Sequence, residues 1–215
     1  MSNAIKVYRH ALSGHCHRIE LMLSLLGLPA TFIDVDLAAG EHKAPPFLNL
    51  NAFAQVPVLD DQGVILADSN AILVYLVRGY GSEHSSGQGT GHWLPDDPML
   101  QAQVQRWLSV AAGPLANSAM KARLVTVFNA PFDPEPLIAD AHALFEIVDA
   151  HLANQPFLVG EQATLAEVSL YSYIAHAPEG NVSLEPYPHI RSWLKRIEAL
   201  EGFVPMGVTK VGLVN

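Results

Sequence analysis

Gln55-Val56-Pro57-Val58-Leu59-Asp60-Asp61-Gln62-Gly63-Val64-Ile65-Leu66-Ala67-Asp68-Ser69-Asn70-Ala71-Ile72 is the stretch on which the fold turns. Two short apolar, β-branched runs, Val56-Pro57-Val58-Leu59 and Val64-Ile65-Leu66, flank Asp60-Asp61-Gln62-Gly63, a turn of a length that joins antiparallel strands. A helix is expected to follow over Ser69–Tyr80, because Ala71, Ile72, Tyr75 and Leu76 recur on one helical stripe. The stretch therefore reads strand, strand, helix.

Upstream, Ile5–Arg9 alternates apolar and polar residues and reads as a strand. Ile19, Met22, Leu23 and Leu26 fall at helical spacing, and Gly27-Leu28-Pro29 stops that helix. Residues 31–37 alternate again as a second strand. A strand, helix, strand succession forms a right-handed crossover, so these two strands should be parallel. The first unit is thus βαβ, an irregular stretch, then ββα.

Downstream the composition changes at residues 79–92, which are rich in glycine and serine and read as a connection with a boundary near Ser85. Every strong signal after it is helical. Asp97 is a candidate N-cap with Pro98 as first helical residue of a long helix running through Trp107. The proline-rich residues 131–136 break the chain. Ile138, Ala141, Phe145, Val148 and Leu152 mark the next helix, and residues 164–177 and 188–200 add two more. In the last, Ile190, Trp193, Leu194 and Ile197 form a face that must pack on something. The fold class is α/β plus all-α, with a mixed domain over residues 1–80, a linker over 81–93 and a helical domain over 94–215.

The 215 residues are enough to bury a core without staples. With 12 Lys plus Arg against 21 acids, a net charge of −9 and no basic cluster, no nucleic-acid partner is expected. One cysteine excludes an intrachain disulfide framework and every multi-cysteine zinc motif, and makes the cytoplasm the default location. The longest apolar stretch near the N-terminus, residues 21–33, holds Ser24, Gly27 and Pro29 and falls short of the roughly 20 residues of a membrane span. Met-Ser-Asn-Ala lacks the basic start of a signal peptide, so none is expected. Ten histidines offer no helical pair with a fitting third ligand, and no metal is expected.

Five motifs recur in a meaningful order: Leu12-Ser13-Gly14-His15-Cys16, Gly40-Glu41-His42-Lys43, Gln55-Val56-Pro57-Val58-Leu59, Asp68-Ser69-Asn70-Ala71-Ile72 and Thr164-Leu165-Ala166-Glu167-Val168. In order and spacing the chain resembles the cytosolic glutathione S-transferases, of bacterial and serine-using type, over nearly its whole length. The resemblance implies an N-terminal thioredoxin-like domain, a C-terminal helical bundle, glutathione as co-substrate and a homodimer. It departs at Asn51-Ala52-Phe53-Ala54, where the family has Asn-Pro-x-Gly, and in a longer linker.

Each motif has a physical reading beside the one the resemblance implies. Val56-Pro57 is either an ordinary proline at a strand start or, as in the family, a cis bond beside which the Val56 backbone pairs with the cysteinyl unit of glutathione. Asp68 and Ser69 either cap a helix or meet an α-amino-acid zwitterion, the serine and free amides taking the carboxylate and the aspartate the ammonium; the family uses them for the γ-glutamyl end.

Ser13 opens a helix, so its hydroxyl and nearby amides can favour the ionised form of a thiol. The resemblance makes it the catalytic serine. His15 competes as a positive or donor group at the same mouth. Cys16 would instead mean thiol exchange, and its position reads as a packed helix residue. Tyr8 is a weaker candidate beside its reading as an amphipathic strand residue. His42, Lys43 and Gln55 are implied as binding residues, the first two for the glycyl carboxylate, against the plainer reading of solvated loop groups. Thr164 and Glu167 form a capping-box pattern and are structural.

The expected activity is transfer of the glutathione thiolate to a small hydrophobic electrophile held between the two units, with a role in detoxification. The alternatives are a glutathione-dependent thiol reductase, peroxidase or isomerase, and a non-enzymatic interaction module of the same fold.

Overall fold

A computed structural model of the chain describes residues 5–81 and 92–214. The expected boundary at Ser85, and most of the 81–93 linker, lie outside the described residues. Two compact units emerge, one comprising Met1–Gly91 with Glu201–Gly207, the other His92–Leu200 with Val208–Asn215.

The first unit is built on a four-stranded sheet in the order β2-β1-β3-β4, formed by β1 (Ile5–Arg9), β2 (Ala30–Asp34), β3 (Val58–Asp61) and β4 (Val64–Ala67). β1 pairs parallel with β2, and antiparallel with β3, which pairs antiparallel with β4. Both the crossover and the hairpin fall where the sequence predicts them. The hairpin turn is tighter than the four-residue reading: β3 runs through Asp61, and Gln62 and Gly63 alone make the turn at φ +54° and +95°. Asp60 Oδ1 accepts the Gly63 N–H at 2.9 Å, which pins that loop. β2 ends earlier than expected because Asp36 Oδ1 takes the Ala39 N–H at 2.8 Å and starts a turn.

α1 (Gly14–Leu25) and α3 (Ser69–Tyr80) pack against each other, and α2 (Pro45–Leu48) is a single turn before the Val56–Pro57 segment. The Tyr75 and Tyr80 hydroxyls both donate to Asp61 Oδ2, tying α3 to the hairpin. A cluster of Val35, Phe47 and Val58, flanked by Tyr8, Leu37, Leu50, Val56 and Ala67, fills the space beside the sheet. Residues Glu201–Gly207, read from sequence as part of the helical domain, group instead with this unit. His17 Nε2 lies 2.9 Å from the Val204 carbonyl, and Gly202, at φ +84°, sits where a Cβ would meet Ser24 O at 2.8 Å.

The second unit is helical: α4 (Pro98–Val110), a π-helical segment (Ala111–Met120), α5 (Lys121–Phe128), α6 (Pro134–Leu152), α7 (Leu165–Ala175) and α8 (Pro188–Glu198). Asp97 caps α4 by accepting from Met99 N and Leu100 N. The π-helical segment was not foreshadowed; it contains Pro114, which lacks the N–H an α-helix would need. α7 is buried from Leu165 to Ile174 and forms the middle of the unit. Ile190, Trp193, Leu194 and Ile197 turn the apolar face of α8 inward, as their spacing requires. Arg123 and Glu179, each about 1% exposed, form a buried ion pair at 2.6 Å. Glu179 also accepts from Thr209 N at 2.9 Å, holding the terminal segment to this unit.

Candidate glutathione site

Two helix mouths meet in the first unit. β1 delivers the chain to Ser13, whose extended backbone and side chain cap α1; its Oγ lies 3.4 Å from the Cys16 N–H. β4 delivers it to Asp68, which caps α3 by accepting the Ala71 N–H at 2.9 Å. Side chains join the two ends. His15 Nδ1 stands 3.2 Å from Ser69 Oγ, and Arg18 Nη1 reaches both, at 2.9 Å from His15 Nδ1 and 3.0 Å from Ser69 Oγ. The sequence readings of Ser13, His15, Asp68 and Ser69 thus fall in one neighbourhood.

His15 is corrected in one respect. Burial, reinforced by the Arg18 charge, pushes its pKa down to about 3, so it is neutral at physiological pH and supplies no positive charge. Arg18 can only donate, so His15 Nδ1 accepts and the ring proton sits on Nε2. The ring can therefore serve this mouth as a neutral donor through Nε2.

Cys16 is fully buried, accepts the His10 N–H at 3.4 Å, and burial pushes its thiol up to about 11. It is a packed helix residue with no access for thiol exchange. Tyr8 is half-buried and meets Phe47 edge to face at 6.5 Å, which fits an inward-facing strand residue.

The Val56–Pro57 bond is cis. β3 joins the ladder only at Val58, opposite Tyr8, so the Val56 N–H and C=O lie outside the sheet pairing. Gln55 is exposed, and its carbonyl accepts from Asn51 Nδ2 at 2.8 Å; Asn51 Oδ1 in turn accepts the Phe53 N–H at 3.0 Å. That side chain organises the turn which lacks the usual proline and glycine.

His42 and Lys43 lie in the 3-10 turn Glu41–Lys43 after β2. His42 is half-buried, with Nδ1 shielded from solvent and unpaired, while Lys43 is exposed. No hydrogen bond or ion pair among the described residues joins either to the helix-mouth cluster. Thr164 and Glu167 form the capping box in full at the start of α7, and no part of it belongs to this site.

Arg18 is the residue sequence reasoning missed. The sequence shows it only as a charged side chain directly before Ile19 of the apolar stripe; in the structure it is buried with the rest of α1 from Gly14 to Leu23, His15 and Glu20 excepted. Among the described residues no group of three His, Cys, Asp or Glu is arranged to hold a metal, and no helix is long and apolar enough to cross a membrane. An open groove of about 590 Å³ in the second unit, lined by residues including His142, Glu146, Asp149 and Tyr187, shares no residue with the cluster.

Residues 3–78 match the glutathione S-transferase N-terminal domain and residues 115–201 the C-terminal domain. Glutathione S-transferase 3 of Zea mays is 30% identical over 210 residues, spanning 93% of this chain and 91% of its own. The crystal structure of a glutathione S-transferase from Pseudomonas fluorescens superposes with a TM-score of 0.86 at 31% identity, covering 95% of this chain and 99% of that one. A glutathione transferase homologue from Drosophila mojavensis, solved with bound glutathione, gives 0.81 at 28% identity over 92% and 88%. With both domains matched in order and a relative aligned nearly end to end, the chain belongs to the glutathione S-transferase family.

Proposed function

We propose that the protein is a glutathione transferase that binds glutathione in its first unit and passes the thiolate to a small hydrophobic electrophile. The observation that carries this is the meeting of two capped helix mouths, joined through His15, Arg18 and Ser69, with Ser13 capping the first of them. Glutathione carries a carboxylate, an ammonium group and a thiol, and the residues at these mouths suit each. Ser69 and the first amides of α3 take the γ-glutamyl carboxylate, and Asp68 takes the ammonium. Val56 pairs through its backbone with the cysteinyl unit beside Pro57. His42 and Lys43 meet the glycyl end, and Gln55 borders the ligand beside Val56.

Ser13 then donates to the sulfur from the mouth of α1, where partial positive charge lowers the cost of ionising a thiol whose pKa is ordinarily about 8.5. No covalent serine intermediate forms. The neutral His15 contributes its Nε2–H rather than a charge. The buried Cys16 favours this serine chemistry over a thiol-reductase reading, which needs an accessible cysteine.

The test is the pKa of the glutathione thiol, read by its thiolate absorbance on the enzyme. Ser13→Ala should raise it by at least one unit; an unchanged value would sink the role. Retention on immobilised glutathione separates the transferase from an interaction module of the same fold, which would flow through. A cytoplasmic homodimer serving detoxification completes the proposal, supported by the family resemblance. Light scattering should then give twice the 23.3 kDa of one chain.

A further inference from the structure

Arg18 has a side chain about 1% exposed, on the helix that begins with the proposed thiol site. Its Nη1 carries two hydrogens, and two acceptors stand within reach: His15 Nδ1 at 2.9 Å and Ser69 Oγ at 3.0 Å. A guanidinium donates only and keeps its charge at every accessible pH, so the direction of both bonds is fixed. This determines where two other protons lie. The in-plane lone pair of His15 Nδ1 is taken by Arg18. The Ser69 hydroxyl, 3.2 Å from that same nitrogen, therefore finds its nearest acceptor already filled. Its oxygen accepts from Arg18, and its proton is left to donate to a group arriving at the mouth of α3. Accepting from a cation also polarises the hydroxyl and strengthens it as a donor.

We infer that Arg18 is a positioning residue for anion capture: it holds the Ser69 hydroxyl as a donor and brings a positive charge behind it, tuned for the α-carboxylate of the γ-glutamyl group. The inference rests on the reading of Ser69 as the site of that carboxylate. It adds a charge to a subsite that the net charge of −9 does not favour at long range. It also gives His15 a part in the same device, as the acceptor that occupies the second hydrogen of Nη1 and keeps the guanidinium facing Ser69.

The experiment compares two ligands by calorimetric titration: glutathione, and the tripeptide with γ-aminobutyryl in place of γ-glutamyl, which keeps the ammonium and lacks only the α-carboxylate. The wild type should prefer glutathione. Ser69→Ala and Arg18→Gln should each weaken glutathione about ten- to a hundredfold, the range for a lost charge-assisted hydrogen bond, while changing the analogue less than twofold. Arg18→Lys should recover part of the preference, since it restores the charge without the planar fork.

A purely structural role would weaken both ligands alike, and that result overturns the inference. If the wild type binds both ligands equally, the carboxylate reading of Ser69 itself falls. If Ser69→Ala loses the preference and Arg18→Gln keeps it, only the role of Arg18 falls. Should the Arg18 variants not fold, the wild type still decides: its Arg18 guanidinium nitrogen resonances should move with glutathione and stay with the analogue, and equal movement with both refutes the role.

Discussion

Asp68 holds φ at +71°, a backbone conformation that costs a side-chain-bearing residue about 1–3 kcal/mol and persists where its surroundings demand it. It performs two tasks, capping α3 through Oδ1 and, as proposed, holding the ammonium of glutathione. Asparagine separates them, because it caps as well as aspartate and tolerates positive φ but has no charge. Asp68→Asn should leave the thermal midpoint within a degree or two while raising the KM for glutathione at least tenfold; an unchanged KM would leave Asp68 a cap only. The cap was legible from the Asp-Ser pair before an apolar stripe, but the strained backbone was not. The same holds at Ala54, whose φ of +53° falls where the family's turn has glycine: the departure was visible, its conformational consequence was not. Arg18 escaped because a charge one residue from an apolar face looks solvated until the neighbouring helix is in place.

Elements were legible where a local hydrogen bond terminates them. Ser13, Asp97 and Thr164 each cap the helix their sequence context announces, since capping is decided within four residues. The end of β2 depends on a turn closed by Asp36, and the π-helical register of residues 111–120 on packing around Pro114, neither of which a periodicity contains. The start of α7 shows how far a cap reaches beyond its own helix. Glu167 is fully buried and accepts from the N–H and hydroxyl of Thr164, at 2.6 and 2.8 Å, and also from the N–H of Leu158. Thr164→Ala removes a cap and should cost about 0.5–2 kcal/mol. Glu167→Ala strands several buried donors at about 1–3 kcal/mol apiece, so it should cost more than 3 kcal/mol. Urea unfolding followed by tryptophan fluorescence measures both, and equal costs would reduce Glu167 to an ordinary capping-box residue.

At the scale of the whole molecule, the sequence implied two units from a change of composition, and missed that residues Glu201–Gly207 return to the first, because that return depends on long-range contacts such as His17 with Val204. Each unit holds a histidine that resists protonation. His15 in the first is held down to about 3, and His176 in the second is lowered mainly by burial, despite the upward pull of Glu179. A histidine depressed in the folded state binds its proton more readily when unfolded, so its stabilising contribution is complete above about pH 6.5 and is lost as pH falls toward the folded value. Glu179, held below the usual carboxylate range by Thr209 N–H, His176 and Arg123 against the desolvation of burial, loses its contribution on the same side, below about pH 4.5. Both units should therefore weaken on acidification through different side chains. The readouts separate them, since Trp93, Trp107 and Trp193 all belong to the second unit and amide protection in α1 reports the first. Between pH 7 and 5, His15→Gln should flatten the fall of α1 protection by about one proton per molecule, and His176→Gln should flatten the fall of the fluorescence-detected urea midpoint. A slope left unchanged by either substitution would mean that the histidine in question takes up its proton without opposing the fold.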